Sequence, residues 1–312
     1  MPIINKEKKG KVTVYIVGKE YDDERQKKKA NTFIKPEHIK TIIDHDADVF
    51  TEEGKLLLRF RKNALPKAHI DAFYENVIKF AMRTTANRGS AAGNTGKKSI
   101  GTNPRVMSNI FGYFDRWSPM HNYIFTKLGK RPKVNVRECA FNMDFPENYK
   151  QTLPLVEDID HLYEKLTPEQ YAAQRKKADQ THFKIPHTSF TTVTTNVNYQ
   201  TAIHTDKGDD VDGFGNLAVI EKGPGYDGGE TCFPQYGIGV DVRTGDILFM
   251  DVHQPHANLP IKLKDKKESF RLSIVCYLRK NIWMSTMNKT KKFYESHRKT
   301  LRNMRRFSEK KN

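Results

Sequence analysis

HTSFTTVTTNVNYQTAIHTD, residues 187–206, decides the fold. It is dense in Thr, Val, Phe and Tyr, side chains that fit a pleated, half-buried surface. Short runs of the same texture follow: GFGNLAVIE at 213–221, IGVDV at 238–242, GDILFMDVH at 245–253 and FRLSIVCYL at 270–278, punctuated by Gly and Pro. Regularly spaced short strands with turn signals predict an all-β sandwich or barrel over this half of the chain. Upstream the period changes. In PKAHIDAFYENVIKFAM, residues 66–82, Ile70, Phe73, Val77, Ile78 and Met82 recur at helical spacing, with Pro66 suited to a first turn. A further helix is predicted over Pro168–Lys177, opened by Thr167 as its cap. Lys11–Val17 reads as a strand, and YDDERQKKK, residues 21–29, as a solvated arm or helix. The expected fold class is mainly β with flanking helices (α+β).

The chain has 312 residues, 37% of them hydrophobic, enough for a core. Apolar runs such as 272–278 fall far short of the roughly 18 residues of a membrane span. The opening MPIINKEKKGKVTVY lacks the apolar region of a secretory signal, so no membrane partner and an intracellular, non-secreted, reducing location are expected. Cys139, Cys232 and Cys276 form neither a CxxC pair nor an even disulfide set and read as buried free thiols. The net charge is +17, unevenly spread. Residues 279–312 hold twelve Lys or Arg against Glu295 and Glu309, a local balance of +10. A second basic stretch runs from Arg59 to Arg105 and includes ANRGSAAGNTGKKSIGTNP, residues 86–104, read as a long loop carrying Arg88, Lys97 and Lys98. Such clustering suits a partner with a phosphate backbone. On charge alone, a lysine-rich soluble surface suits it equally.

Two HxD triplets occur, His69-Ile-Asp71 and His204-Thr-Asp206. About one His-x-acid triplet arises by chance in a chain of this composition, so geometry must separate them. The first lies in a helical pattern, where residues two apart diverge. The second ends a strand-like run, where i and i+2 share a face and can grip one ion. A facial non-haem Fe(II) site needs one more His, and His253 and His256 both stand downstream. In the strand 271–277, Arg271, Ser273 and Tyr277 project to one side and Leu272, Ile274 and Cys276 to the other. If the polar side faces solvent, Arg271 pairs with Glu268. If it lines a barrel, a buried Arg needs an anionic partner such as a dicarboxylate co-substrate, which guanidinium holds bidentately.

The segments NRGSAAG, FTTVTTNVNYQTAIHTD, GFGNLAVIE, GGETCFPQYGIGVDVRTGD, HANLP and RLSIVCYLR, taken together in order and spacing, resemble the Fe(II)- and 2-oxoglutarate-dependent oxygenases of the TET and J-binding-protein type. The similarity runs from about residue 82 to 280 and is nearer the viral, phage or algal members. It implies a double-stranded β-helix core (jelly-roll, cupin-like) over 82–280. Residues 1–81 are then an N-terminal α/β extension packed on the core, and 281–312 a basic C-terminal helix or tail. Carried over by position, the iron ligands fall on His204, Asp206 and His256. The 2-oxoglutarate partner falls on Arg271, with Ser273 as helper. Tyr277 falls where the TET branch touches its target base, and Arg279 replaces a TET-branch His. The implied activity is hydroxylation of the 5-methyl group of a flipped-out 5-methylcytosine or thymine in double-stranded DNA, using Fe(II), 2-oxoglutarate and O2 and giving succinate and CO2, with ascorbate as a possible reductant. Arg88, Lys97, Lys98 and the tail after Arg279 become candidate DNA contacts; in the tail Phe293, His297, Leu301 and Met304 outline an amphipathic helix. No obligate protein partner is implied. The alternatives are an oxygenase of the same superfamily acting on RNA or a protein side chain, and a catalytically silent nucleic-acid-binding module. The intact His204, Asp206, His256 and Arg271 count against the last.

Overall fold

The computed structural model of the chain describes residues 3–86, 88–93, 104–116 and 135–296. Ten strands form the main sheet, in the order β1 (Ile3–Lys9), β2 (Val12–Val17), β4 (Ala47–Thr51), β5 (Leu56–Arg61), β13 (Ile247–Met250), β9 (Gly215–Lys222), β16 (Phe270–Tyr277), β8 (Thr192–Val197), β6 (Met107–Arg116) and β7 (Asn135–Glu138). A smaller sheet of four, β14 (Ala257–Asn258), β11 (Thr231–Phe233), β12 (Ile238–Val240) and β3 (Thr41–Ile43), lies across from it. Strand β10 (Tyr226–Gly228) pairs with β15 (Ile261–Leu263) beside them.

Alternation along the central strands builds two apolar layers. Leu272, Ile274 and Cys276 of β16 join Val193 and Val197 of β8 and Phe249 of β13 on one face. There they meet Ile70, Phe73 and Val77 of the helix Lys67–Ala81 and Leu155, Val156 and Ile159 of the helix Pro146–Leu166. On the other face Leu217, Val219, Leu248 and Met250 pack against Phe233, Ile238 and Val240 of the small sheet. Each such buried side chain stabilises the fold by about 1.5–3 kcal/mol. Two mainly antiparallel sheets, each with one parallel pair (β2 with β4, β12 with β3), closed over one another in this way form the double-stranded β-helix, and the space between them holds the site. Within it, Arg271, Ser273, Val275 and Tyr277 face inward from β16, joined by Thr194 and Asn196 of β8. The three cysteines are buried and free.

Several local readings change. The 21-residue helix Pro146–Leu166 has no counterpart in the sequence reading, because Pro146 and Pro154 punctuate its apolar stripe. Pro146 occupies the first turn, where its missing N–H is no loss. Thr167 precedes the helix Pro168–Ala178 without capping it; its hydroxyl donates back to the Tyr163 carbonyl at 3.1 Å. Residues 23–28 of the charged run are helical, and Asp22 accepts the Arg25 N–H at 2.7 Å as their cap. Part of the basic stretch from Arg59 is internally neutralised, since Arg59 and Arg61 both pair with Asp48. No described helix is long and apolar enough to cross a membrane.

Candidate active site

The chain leaving β8 runs antiparallel to the segment entering β14, which brings two distant pieces of sequence together. The His204 N–H donates to the His256 carbonyl at 3.0 Å and the His256 N–H returns to His204 at 2.9 Å; Asp206 N–H adds a bond to the Val252 carbonyl at 3.0 Å. One ligand atom from each of His204, Asp206 and His256 lies within 4.8 Å of the others. The protonation pattern follows from the neighbours. His204 Nδ1 lies 2.7 Å from the Ala202 carbonyl and His256 Nδ1 2.9 Å from that of Gln254. A carbonyl only accepts, so both Nδ1 atoms carry hydrogen and both Nε2 lone pairs are free. Those Nε2 atoms stand 3.7 Å from the two Asp206 oxygens. Burial, with His204 alongside, pulls the His256 pKa down to about 4, keeping its imidazole in the neutral form that binds metals. His253 is elsewhere, with Nε2 against the Asp210 carbonyl at 3.0 Å. The first HxD pair is dispersed too: His69 meets Asp158, while Asp71 meets Lys67 and Lys222.

These three side chains open onto a cavity of about 280 Å³. Arg271 lines it and is 3% exposed, so the buried alternative of the sequence reading holds. Its Nη2 donates to the Gly229 carbonyl at 3.0 Å and its cation lies over the Tyr226 ring at 5.7 Å. Its Nε is buried without a partner, and no described carboxylate pairs with it. Gly229, at φ +79°, is needed here because a Cβ would come within 3.0 Å of that Nε. A buried guanidinium without a counter-charge is costly unless an anion completes it. Tyr199, also on the wall, has a buried hydroxyl with no partner, and burial raises its pKa to about 12, so it stays a donor. Two imidazoles and a carboxylate on one side of an open cavity fit a non-haem iron with free positions. The orphaned donors of Arg271 and Tyr199 fit an anionic co-substrate beside it.

Six residues along β16 from Arg271, Tyr277 lines the cavity together with Arg88, Phe114, Asp209 and Arg279. The Tyr277 hydroxyl lies 3.2 Å from Thr194 Oγ1. Arg279 does not extend outward with a tail. It turns in over the Phe114 ring at 4.4 Å and pairs with the buried Asp115 at 2.9 Å. Arg88 likewise faces inward, donating from Nε to Ser108 Oγ at 2.5 Å. Asp209 is a site residue that the sequence reading missed; burial, with Asp206 beside it, pushes its carboxyl well above the usual range. Its only signal is its place three residues after Asp206. Tyr199, Asn196 and Asp115 were missed as well. Lys97, Lys98, His297, Leu301 and Met304 lie outside the described residues.

Residues 117–280 match the model of the Tet_JBP family, the oxygenase domain of the 2OGFeDO superfamily. Thymine dioxygenase JBP1-A of Trypanosoma cruzi (strain CL Brener) is 30% identical over 241 residues, 77% of this chain and 26% of that relative. Thymine dioxygenase JBP1 of Crithidia fasciculata is 28% identical over 253 residues, 80% and 28% respectively. The chain thus spans less than a third of these curated relatives. The solved structure of NgTET1 in complex with 5mC DNA has a TM-score of 0.53 at 15% identity, covering 91% of this chain and 90% of that one, a likeness of fold. The family match takes in more than half of the chain and includes His204, Asp206, His256 and Arg271, so the chain belongs to the Tet_JBP family of oxygenase domains.

Proposed function

We propose that the chain is an Fe(II)- and 2-oxoglutarate-dependent dioxygenase that hydroxylates the 5-methyl group of a pyrimidine in DNA. The observation that carries this reading is the open His204–Asp206–His256 group in the same cavity as a buried Arg271 whose Nε has no protein partner. His204, Asp206 and His256 would hold the metal through Nε2, a carboxylate oxygen and Nε2. Arg271, helped by the hydroxyls of Ser273 and Tyr199, would hold the far carboxylate of 2-oxoglutarate. When bound, the iron and co-substrate supply the oxidation of the methyl C–H to C–OH by O2, with 2-oxoglutarate leaving as succinate and CO2. Ascorbate would serve as a reductant that keeps the iron ferrous.

The residues around Tyr277 receive the base. A duplex cannot enter a cavity of about 280 Å³, whereas one flipped nucleotide can, at an unstacking cost of a few kcal/mol. Tyr277 and Phe114 offer ring faces, and the Asp209 carboxyl lines the cavity beside them, within reach of the base edge. Arg279 donates only. It suits the O4 acceptor of thymine better than the amino group of 5-methylcytosine, and the named relatives are thymine dioxygenases. Thymine is therefore the favoured base. Arg88 would contact the flipped nucleotide, and Lys97, Lys98 and the basic tail the flanking phosphates.

Mass spectrometry of nucleosides tests this after incubation of the chain with Fe(II), 2-oxoglutarate and either unmodified or 5-methylcytosine duplex. 5-Hydroxymethyluracil is the expected product; 5-hydroxymethylcytosine would reassign the base. If neither forms and His204→Ala leaves succinate production unchanged, the proposal fails.

A further inference from the structure

Ser108, Asn196 and Ser273 stand side by side on three neighbouring strands. Asn196 of β8 is the register partner of Ser108 on β6 and of Ser273 on β16. Their side chains form a single line. Arg88 Nε donates to Ser108 Oγ at 2.5 Å, the Ser108 hydroxyl donates to Asn196 Oδ1 at 2.5 Å, and Asn196 Nδ2 donates to Ser273 Oγ at 3.2 Å. The directions agree along the line. Guanidinium only donates, so Ser108 accepts from Arg88 and its own hydroxyl hydrogen goes to Asn196 Oδ1. Accepting it turns the Asn196 amide so that its NH2 faces Ser273. The Ser273 oxygen is then an acceptor within the line, and its own hydrogen is left for the cavity, beside Arg271. Arg88, which begins the line, lies within electrostatic reach of Asp209 and Tyr277; Ser273, which finishes it, stands two residues from Arg271 on β16.

Resting on the functional reading above, we propose that Ser108 and Asn196 are positioning residues that couple co-substrate binding to base binding. A carboxylate accepting from Ser273 polarises the line and fixes Arg88, since each hydrogen bond strengthens its neighbours. Ser108 is buried and absent from the cavity wall, so it acts through Arg88 and Asn196 rather than on a ligand. Coupling of this kind is reciprocal: 2-oxoglutarate tightens DNA binding by the same factor as DNA tightens 2-oxoglutarate.

The test uses the full chain loaded with Mn(II) without oxygen. The Kd of 2-oxoglutarate is read by calorimetry and that of a fluorescent thymine-containing duplex by anisotropy, each with and without the other ligand. Wild type is expected to show a coupling factor of at least about 5. Ser108→Ala should bring that factor to about 1 while changing the Kd of 2-oxoglutarate alone by less than about twofold, and Ser108→Thr should restore it. Asn196→Asp keeps the acceptor for Ser108 but removes the donor to Ser273. It should both abolish coupling and weaken 2-oxoglutarate about tenfold or more, and it stands in if Ser108→Ala does not fold. Unaltered coupling in whichever variant folds, or a wild-type factor of one with both ligands bound, overturns the relay alone. Failure of wild type to bind 2-oxoglutarate at all overturns the functional reading and the relay with it.

Discussion

His204 and His256 are clamped to each other through the main chain, each N–H donating to the other's carbonyl at 3.0 and 2.9 Å. The clamp makes the proposed metal site a property of backbone pairing, so one of its three side chains can be removed without dispersing the others. His204→Ala is therefore expected to keep the far-ultraviolet circular dichroism of wild type while weakening Mn(II) binding by about 100-fold or more. A variant that binds Mn(II) as wild type does would remove His204 from the site.

Arg271 supplies a planar fork whose Nε has no protein acceptor. Lysine keeps the charge and loses the fork. Arg271→Lys should raise the Kd of 2-oxoglutarate by about 10- to 100-fold and leave Mn(II) affinity unchanged, as calorimetry would show. Parallel losses of both affinities would mean that Arg271 serves the architecture instead.

A Cβ at Gly208 would meet Arg279 Nη1 at 1.9 Å, and that atom is the far end of a flexible side chain. Gly208→Ala should displace Arg279, raising the KM for DNA severalfold with the KM for 2-oxoglutarate and the Tm close to wild type. Gly112, at φ +87°, is different: its Cβ would lie 2.4 Å from the Thr191 carbonyl oxygen, which belongs to the main chain. Gly112→Ala should abolish soluble expression. Equal effects of the two substitutions on Tm would contradict this division.

Burial raises the pKa of Asp160 above its ordinary value of 3.8, although Ser189 donates to it from both N–H and Oγ at 2.8 and 2.6 Å. The folded state thus holds a proton that the unfolded chain releases at lower pH. Stability from this group is full below about pH 3.8 and is lost as pH rises through the folded value. Asp160→Asn retains an acceptor for Ser189 and cannot ionise. Its Tm should exceed that of wild type by ~2–4 °C at pH 8 and lose that advantage toward pH 4. A gain confined to acid would reverse the sign and refute the argument.

What was readable beforehand follows the range of each signal. The two faces of 271–277 were legible because strand periodicity is local: it put Arg271, Ser273 and Tyr277 on one side, and the fold shows that side lining the cavity. The pairing of His204 with Asp206 was legible for the same reason. His256 over His253 needed the resemblance, because both sit in one loop and only the tertiary fold turns one toward Asp206. Tyr199 and Asp115 carry no local mark, and Asp209 only its nearness to Asp206; what makes them part of the site is burial among segments distant in sequence. The surroundings of Arg88 were hidden for a related reason: a Gly- and Ser-rich segment shows no partner for its cation, and Ser108, which holds it, comes from β6. The helix Pro146–Leu166 was hidden by prolines that the fold accommodates.

Strand β13 sits between β9 and β5, with Ile247 opposite Ala218 on one side and Arg61 on the other. The family match begins at residue 117, after β1 to β6. A fragment cut there would carry His204, Asp206, His256 and Arg271, yet leave β13 without β5 and β8 without β6. Both would become bare flanks, and β13, with its apolar ILFM, would be a ready template for intermolecular pairing. The span of the family model and the span of the sheet therefore have different borders in this protein: the first is shorter than the set of strands that keeps β13 and β8 paired on both sides.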